Sequence, residues 1–317
     1  MAASGDDTLL DEQRRRVQAG AAGIAGGVLT LAGGAIAAYV YSDLPKVPVL
    51  DALSERFAAD PPRAGLKAMQ VRWYDDNALE LILVSIVLAL AAAAIGLLLS
   101  HLYRSVKARR PELPRYAVYA AVSGAVLVAV AGLVQAVAVT IEASSFAGSS
   151  DQSADAARDV LQGPAILASL LLRQVGVFAL GFAFIVLALN GMRVGLLTRF
   201  MGVLGMIVGA LFILPLGSSL PIVQAYWLTA LGVMFLGRWP SGLPPAWVTG
   251  EAQPWPTQQE IREARMEKQA QKLGDQDEEE RPRRGRRQRA EPPETPAPEL
   301  PAPKPHSSSK KRKRKRR

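Results

Sequence analysis

One arginine, Arg173, sits well inside an apolar run, ILASLLLRQVGVFALGF at residues 166–182. An arginine at a bilayer centre costs about 2.5–3.5 kcal/mol on insertion scales, so it marks a polar cavity or an ion pair. Glu142, which ends an earlier apolar run, is the natural carboxylate for such a pair. Together Arg173 and Glu142 would suit the binding or passage of a small solute. A plainer reading places Arg173 near the interface, its stem snorkelling outward. The block at 164–190 is longer than the roughly 20 residues a crossing needs, so its helix has room to shift or tilt. Glu80 is a second acid at the edge of an apolar run, but Asn77-Ala-Leu-Glu80 has cap spacing. Asp75 and Asp76 then lie at the positive end of the helix dipole, and a helix start accounts for all four residues. Gln135 and Asn190 are lone amides, which suit interhelical hydrogen bonds better than ligation.

Two basic clusters could bind phosphates. RPRRGRRQR at 281–289 holds Arg283, Arg284, Arg286 and Arg287. KKRKRKRR at 310–317 holds Lys310, Lys311, Arg312, Lys313, Arg314, Lys315, Arg316 and Arg317. Each basic residue near an anionic leaflet contributes about 1 kcal/mol. The same clusters would bind RNA phosphates without sequence preference. No aromatic residue interleaves them, so base stacking is not part of the reading. A nuclear-localisation motif is the obvious match, and the membrane spans before it argue against that. The expected partners are lipids of an anionic leaflet or, alternatively, a ribosome or other RNA.

Other chemistry is excluded by residue supply. The chain has no cysteine, so it has neither disulfides nor thiolate chemistry, and its two histidines, His101 and His306, cannot make a His-rich metal site. No Walker loop, GxSxG or HExxH sequence occurs, and no cofactor or metal is implied.

The elements that position these residues are long and apolar. Six spans are expected, at about 19–41, 79–102, 116–141, 164–190, 197–216 and 220–237. In lipid each must be helical, because its backbone groups have no water to bond. The fold class is therefore an all-α polytopic membrane protein with six transmembrane helices. Span one follows Arg14, Arg15 and Arg16 and is too long for a signal-peptide core, which makes it a retained anchor. Pro215 and Pro221 bracket a tight hairpin between the last two spans. Gly23-x-x-x-Gly27 and Gly205-x-x-x-Gly209 permit close helix contact, within the chain or in a homo- or hetero-oligomer.

Orientation follows the basic residues of short flanking segments. Arg104, Lys107, Arg109, Arg110 and Arg115 lie between spans two and three, and Arg193 and Arg199 between four and five. The 143–162 loop holds one basic residue, Arg158. The 42–78 loop is an exception, with five basic residues scattered among acids. The expectation is an inner, or plasma, membrane location with residues 1–18 and the tail at 238–317 both cytoplasmic. An amphipathic helix is expected within the 42–78 loop, at 49–59. The tail holds 20 of the 37 basic and 12 of the 28 acidic residues, so its net +8 is nearly the whole chain's +9. It begins Pro- and Trp-rich at 239–256. A polar helix at 257–273 follows, with Thr257 and Glu260 spaced as a capping box. From 274 to 317 the tail is charged and Pro-rich, without the apolar surface to order itself.

The segment RVGLLTRFMGVLGMIVGALFILPLG, followed by PPAWVTGEAQPWPTQQE, resembles a group of uncharacterised multi-pass membrane proteins of actinobacteria. The likeness covers roughly residues 190–265 and implies a membrane location but no chemistry. The basic tail is similar in character to the cytoplasmic tails of some YidC-type insertases, which contact ribosomes. The leading expectation is a non-enzymatic integral membrane protein whose tail binds anionic lipid or a cytoplasmic partner. The alternatives are a ribosome-associated factor in membrane protein biogenesis, and a small-solute transporter or channel built on Arg173 and Glu142.

Overall fold

The computed structural model describes residues 5–46, 48, 50, 66–214, 221–240, 242–256, 259, 260, 262–269 and 271. All of their regular structure is helical, with no strand among the described residues. In chain order the helices are α1 (Gly5–Val40), a 3-10 turn (Tyr41–Asp43), α2 (Leu66–Asp76), α3 (Ala78–Arg109), α4 (Tyr116–Ala147), α5 (Ala154–Leu161), α6 (Pro164–Arg193), α7 (Arg199–Ile213), α8 (Ile222–Phe235) and α9 (Pro245–Thr249). Residues 262–269 are helical and belong to a separate unit that begins at Pro256.

Four of these helices, α1, α3, α4 and α6, are long and apolar enough to cross a membrane. The 30 residues of α6 alone extend about 45 Å at roughly 1.5 Å per residue, against a hydrocarbon core of about 30 Å. Their outward faces are apolar at helical spacing. On α4 the exposed stripe runs Val122, Val126, Val130, Val134, Val137 and Ile141, and on α6 it runs Leu167, Leu171, Val175, Phe178 and Phe182. A protein solvated by water would put polar side chains on those stripes, so the molecule is built to be embedded in a membrane. Helices α7 and α8 are also apolar but have only 15 and 14 residues.

The six long elements close into a ring. Helix α1 packs on α3, α3 on α4, α4 on α6, α6 on α7, α7 on α8, and α8 back on α1, while α3 also touches α6. In lipid no hydrophobic drive holds apolar helices together, so contact rests on close packing of small residues. Gly23 meets the Gly232 Cα and the Leu228 carbonyl of α8 so closely that an added Cβ would lie 2.8 and 3.0 Å from them. Gly27 would meet the Ala225 carbonyl at 2.7 Å. Gly205 faces Ala188 and the Trp227 ring, and Gly209 faces the Gly181 carbonyl. Both glycine motifs are thus spent on contacts inside the chain, the first joining α1 to α8 and the second joining α7 to α6 and α8.

One end of the ring is solid, and we call it the latch end. Leu98, Leu99, Leu102, Phe184, Trp227 and Phe235 fill it. The α6 and α8 helices stop there in the same way. Gly195 and Gly237 have φ of 75° and 74°, which a side chain with a Cβ rarely adopts. Each closes a Schellman motif. Leu196 N–H donates to the Gly191 carbonyl at 2.9 Å, and Arg238 N–H donates to the Val233 carbonyl at 3.1 Å. The turn lets the chain fold back, and residues 243–255 cover the end. Trp247 Nε1 donates to the Leu196 carbonyl and Trp255 Nε1 to the Leu197 carbonyl, both at 2.8 Å. The Arg109 guanidinium lies over the Trp247 ring, 5.3 Å from its centroid, and donates to the Ala246 carbonyl. The Pro- and Trp-rich stretch taken from sequence as the start of the tail is therefore packed on the bundle as far as Trp255.

Near the opposite end, α2 and α5 pack on the end of α4 around Ala68, Val71, Ala143, Phe146 and Ala157. Helix α2 gave no sequence signal that was read. The expected helix at 49–59 lies, apart from Leu50, outside the described residues, as do Pro215, Thr257 and the whole 272–317 segment. Asn77 does not cap α3 with its side chain. Its Nδ2 reaches back to the Trp73 carbonyl at 2.9 Å, so α2 runs almost directly into α3.

The latch makes a stability prediction. Trp247→Phe keeps an aromatic ring under Arg109 but orphans the buried Leu196 carbonyl, at a cost of about 1–3 kcal/mol. The detergent-solubilised variant is expected to unfold at a lower temperature than wild type. An unchanged midpoint would show that the indole hydrogen bond is not part of what holds the latch.

Candidate functional site

Inside the ring, toward the end where α1 stops and α3 begins, lies a cavity of about 660 Å³. All six helices of the ring contribute to its walls, together with the 3-10 turn and α2. Small side chains leave the space. Ala89, Ala91 and Ala92 of α3 and Gly132 and Ala136 of α4 stand where leucines would fill it. A Cβ added to Gly132 would meet nothing within 4 Å, whereas one added to Gly124 on the same helix would lie 2.8 Å from the Leu180 nitrogen. The floor is apolar, made by Ile95, Val128, Leu180 and Phe212. Beneath it the solid packing of the latch end begins.

The mouth is aromatic. Tyr41 packs against Trp73 at 5.7 Å between ring centroids, and Trp73 against Tyr74 at 5.2 Å. Gln70 Nε2 donates to the Pro45 carbonyl at 2.8 Å and ties α2 to the segment leaving α1. Burial pushes the Tyr74 phenol above its ordinary value, and the adjacent Tyr41 adds to the shift. Tyr74 therefore stays a neutral hydrogen-bond donor at the rim.

Between mouth and floor runs a polar band. Arg173 and Gln174 come from α6, Gln135 from α4, Thr30 from α1 and Gln224 from α8. Arg173 is the tenth residue of its helix, about 14 Å along the axis at roughly 1.5 Å per residue. Its charge is close enough to Tyr41 to act on that hydroxyl electrostatically. No ion pair or hydrogen bond to Arg173, Gln135, Gln174 or Gln224 forms among the described residues. The Thr30 hydroxyl is buried and also without a partner. Ser85, also in the lining, is satisfied by the Ile82 carbonyl. Of these five residues only Thr30 is buried; Gln135 and Gln224 are half-buried, and Arg173 and Gln174 are exposed.

Among the described residues no Asp, Glu or His lines the cavity. The described wall can offer a fixed positive charge and several hydrogen bonds, and it holds no side chain suited to removing a proton at neutral pH.

Of the residues singled out from sequence, the structure separates Arg173 from Glu142. Glu142 is exposed near the end of α4, is not among the residues lining the cavity, and makes no ion pair with Arg173. It lies seven residues beyond Gln135 on α4, about 10 Å along the axis at roughly 1.5 Å per residue. Asn190 is interhelical as read. It accepts from Arg110 at 2.8 Å and donates to Val186 at 2.8 Å. Gln135 lines the cavity and makes no hydrogen bond among the described residues. Thr30, Gln174 and Gln224 were missed, although the signal existed as one or two polar residues at interior positions of successive spans. Arg283, Arg284, Arg286, Arg287 and Lys310 to Arg317 lie outside the described residues. No known protein family, characterised protein or solved structure matches the chain.

Two leucine substitutions on α4 should separate packing from cavity. Gly132→Leu is expected to leave the thermal midpoint in detergent unchanged or slightly raised, because its side chain enters empty space and glycine is a poor helix former by about 1 kcal/mol. Gly124→Leu is expected to lower the midpoint sharply or prevent folding, because it drives α4 off α6. Equal destabilisation by both would mean that no open space faces Gly132.

Proposed function

We propose that this is a non-enzymatic, six-span integral membrane protein that binds a ligand in the cavity around Arg173, with both ends cytoplasmic and its basic tail holding it to the anionic inner leaflet. The observation that carries the reading is the polar band. Arg173, Gln135, Gln174 and Gln224 line one space with no hydrogen bond or ion pair among the described residues, and no Asp, Glu or His is among the described residues of its wall. Four helices have the length to cross a membrane, and in this reading the shorter apolar α7 and α8 make the fifth and sixth crossings. Orientation is supported by charge. Arg104, Lys107, Arg109, Arg193 and Arg199 gather at the latch end, which the positive-inside tendency assigns to the cytoplasm. The cavity mouth then faces outward.

The tail supports a second reading, in which residues 281–289 and 310–317 bind ribosomal RNA and tie the protein to membrane protein biogenesis.

The chain has no cysteine, which makes the topology directly measurable. Ser149→Cys is expected to react with a membrane-impermeant maleimide on intact cells, and Glu112→Cys only after the membrane is opened. The reverse pattern would invert the topology and place the cavity mouth in the cytoplasm. For the tail, full-length protein and a 1–280 truncation are compared for sedimentation with ribosomes and with anionic vesicles across a salt series. Tail-dependent binding to vesicles alone supports the lipid anchor. Tail-dependent, salt-sensitive binding to ribosomes favours the second reading.

A further inference from the structure

We propose that the cavity takes an anionic amphiphile with a single apolar chain, its phosphate or carboxylate headgroup held by Arg173 with the Gln135 and Gln174 amides and its chain lying against the floor. The inference rests on the cavity being the binding site and names the chemistry of its ligand.

Charge comes first. Among the described residues the lining holds one arginine and no carboxylate, which makes this wall formally positive. A cationic ligand would be repelled, and a neutral one would leave the guanidinium as unpaired as it is now. An oxyanion matches the planar fork of the guanidinium, and side-chain amides add donors beside it. Gln174 follows Arg173 directly, and Gln135 lies on α4, which packs against α6. Thr30 also lines the cavity, but its unpartnered hydroxyl is buried away from the open space, so the amides are the donors beside the guanidinium.

Shape comes second. Polarity is graded along the cavity. Leu180 lies seven residues beyond Arg173 on α6, about 10 Å deeper at roughly 1.5 Å per residue, and beside it Ile95, Val128 and Phe212 offer only carbon. A small inorganic anion would use the polar band and leave that floor against water. A chain attached to the anion covers the floor. The volume of about 660 Å³ fits one chain with its headgroup and lies inside the range of roughly 300–1,000 Å³ usual for small-molecule sites. The tyrosines at the mouth, apolar in body and polar at the tip, suit a rim that an amphiphile crosses.

The test uses full-length protein in dodecyl maltoside, followed by thermal unfolding through its five tryptophans. Dodecyl phosphate and inorganic phosphate are titrated separately. The detergent itself is a neutral competitor of the same chain length. The titrations are run at high salt, which screens the exposed tail more than a buried site. Dodecyl phosphate is expected to raise the midpoint by several degrees, and inorganic phosphate at the same concentration is not. Arg173→Gln and, independently, Gly132→Leu are each expected to weaken the dodecyl phosphate effect by roughly tenfold or more. Gln174→Ala is expected to weaken it less, and it keeps the test alive should Arg173→Gln fail to fold. If inorganic phosphate alone reproduces the shift, the site takes a small anion and the amphiphile is wrong. If all variants respond as wild type does, the amphiphile binds elsewhere and the proposal is overturned. Failure of the cavity reading itself has a separate signature. Ala136→Cys, on the cavity wall, would then react with neither a lipid-soluble nor a water-soluble maleimide.

Discussion

The contact on which the rest of this structure depends is the backbone approach of α1 to α8 through Gly20, Gly23 and Gly27 on one side and Gly232 on the other. Chain order alone would make an open row of helices. The first helix meeting the last turns that row into a ring, and only a ring encloses a space. The contact cannot be apolar side chain against apolar side chain, because lipid tails compete equally well for such surfaces. It is made instead by removing side chains until backbones touch, which maximises dispersion over a short length. Glycines at Gly124 with Gly176, and at Gly181 with Gly209, repeat the device between α4 and α6 and between α6 and α7.

Given a ring, side-chain size decides what it encloses. Toward the latch, large groups converge. Phe184 stacks on Phe212 and meets Trp227 edge-on, both at 5.2 Å, and the Trp227 N–H is satisfied by the Met201 carbonyl at 2.8 Å. Toward the mouth the same helices carry alanine and glycine on their inner faces. Rigidity and vacancy are thus divided along the axis. The packed half fixes the angles between helices, and the hollow half inherits those angles without having to generate them. That arrangement lets α6 present an arginine and a glutamine to empty space without the wall collapsing around them.

The fold class was legible because it follows from a simple solvent constraint. Runs of some twenty apolar residues have one stable conformation in lipid, and the four long apolar helices could be read directly. The glycine motifs were legible as close contacts, although spacing alone could not say that their partners were α8 and α6 of the same chain. Sequence was weaker wherever placement depended on three dimensions. Glu142 looked like the partner of Arg173 because both are near one end of adjacent spans. Its separation depends on how far α4 extends and which way it faces at that height. Asn77 had the spacing of a cap and bonds backward instead. Trp247 and Trp255 looked like part of a solvated tail, because the carbonyls they bind belong to a tight turn some fifty residues earlier. Thr30 and Gln224 are ordinary in their own spans and become notable only when the ring brings their helices to one cavity.

The separation of Arg173 from Glu142 is itself informative. An internal ion pair would have satisfied the arginine at low cost and left the cavity neutral. The chain already spends hydrogen bonds freely where stability is at stake. The indoles of Trp227, Trp247 and Trp255 all find carbonyls, and Asn190 bridges Arg110 to its own helix. Against that background, Arg173, Gln135, Gln174 and Gln224 line the cavity with no hydrogen bond or ion pair among the described residues, as the buried Ser105 hydroxyl near the latch also has none. A ligand carrying acceptors for the guanidinium and amides would add hydrogen bonds that the protein alone does not make. An empty site of this kind is therefore less stable than an occupied one, which ties affinity for an anionic headgroup to the integrity of the mouth end.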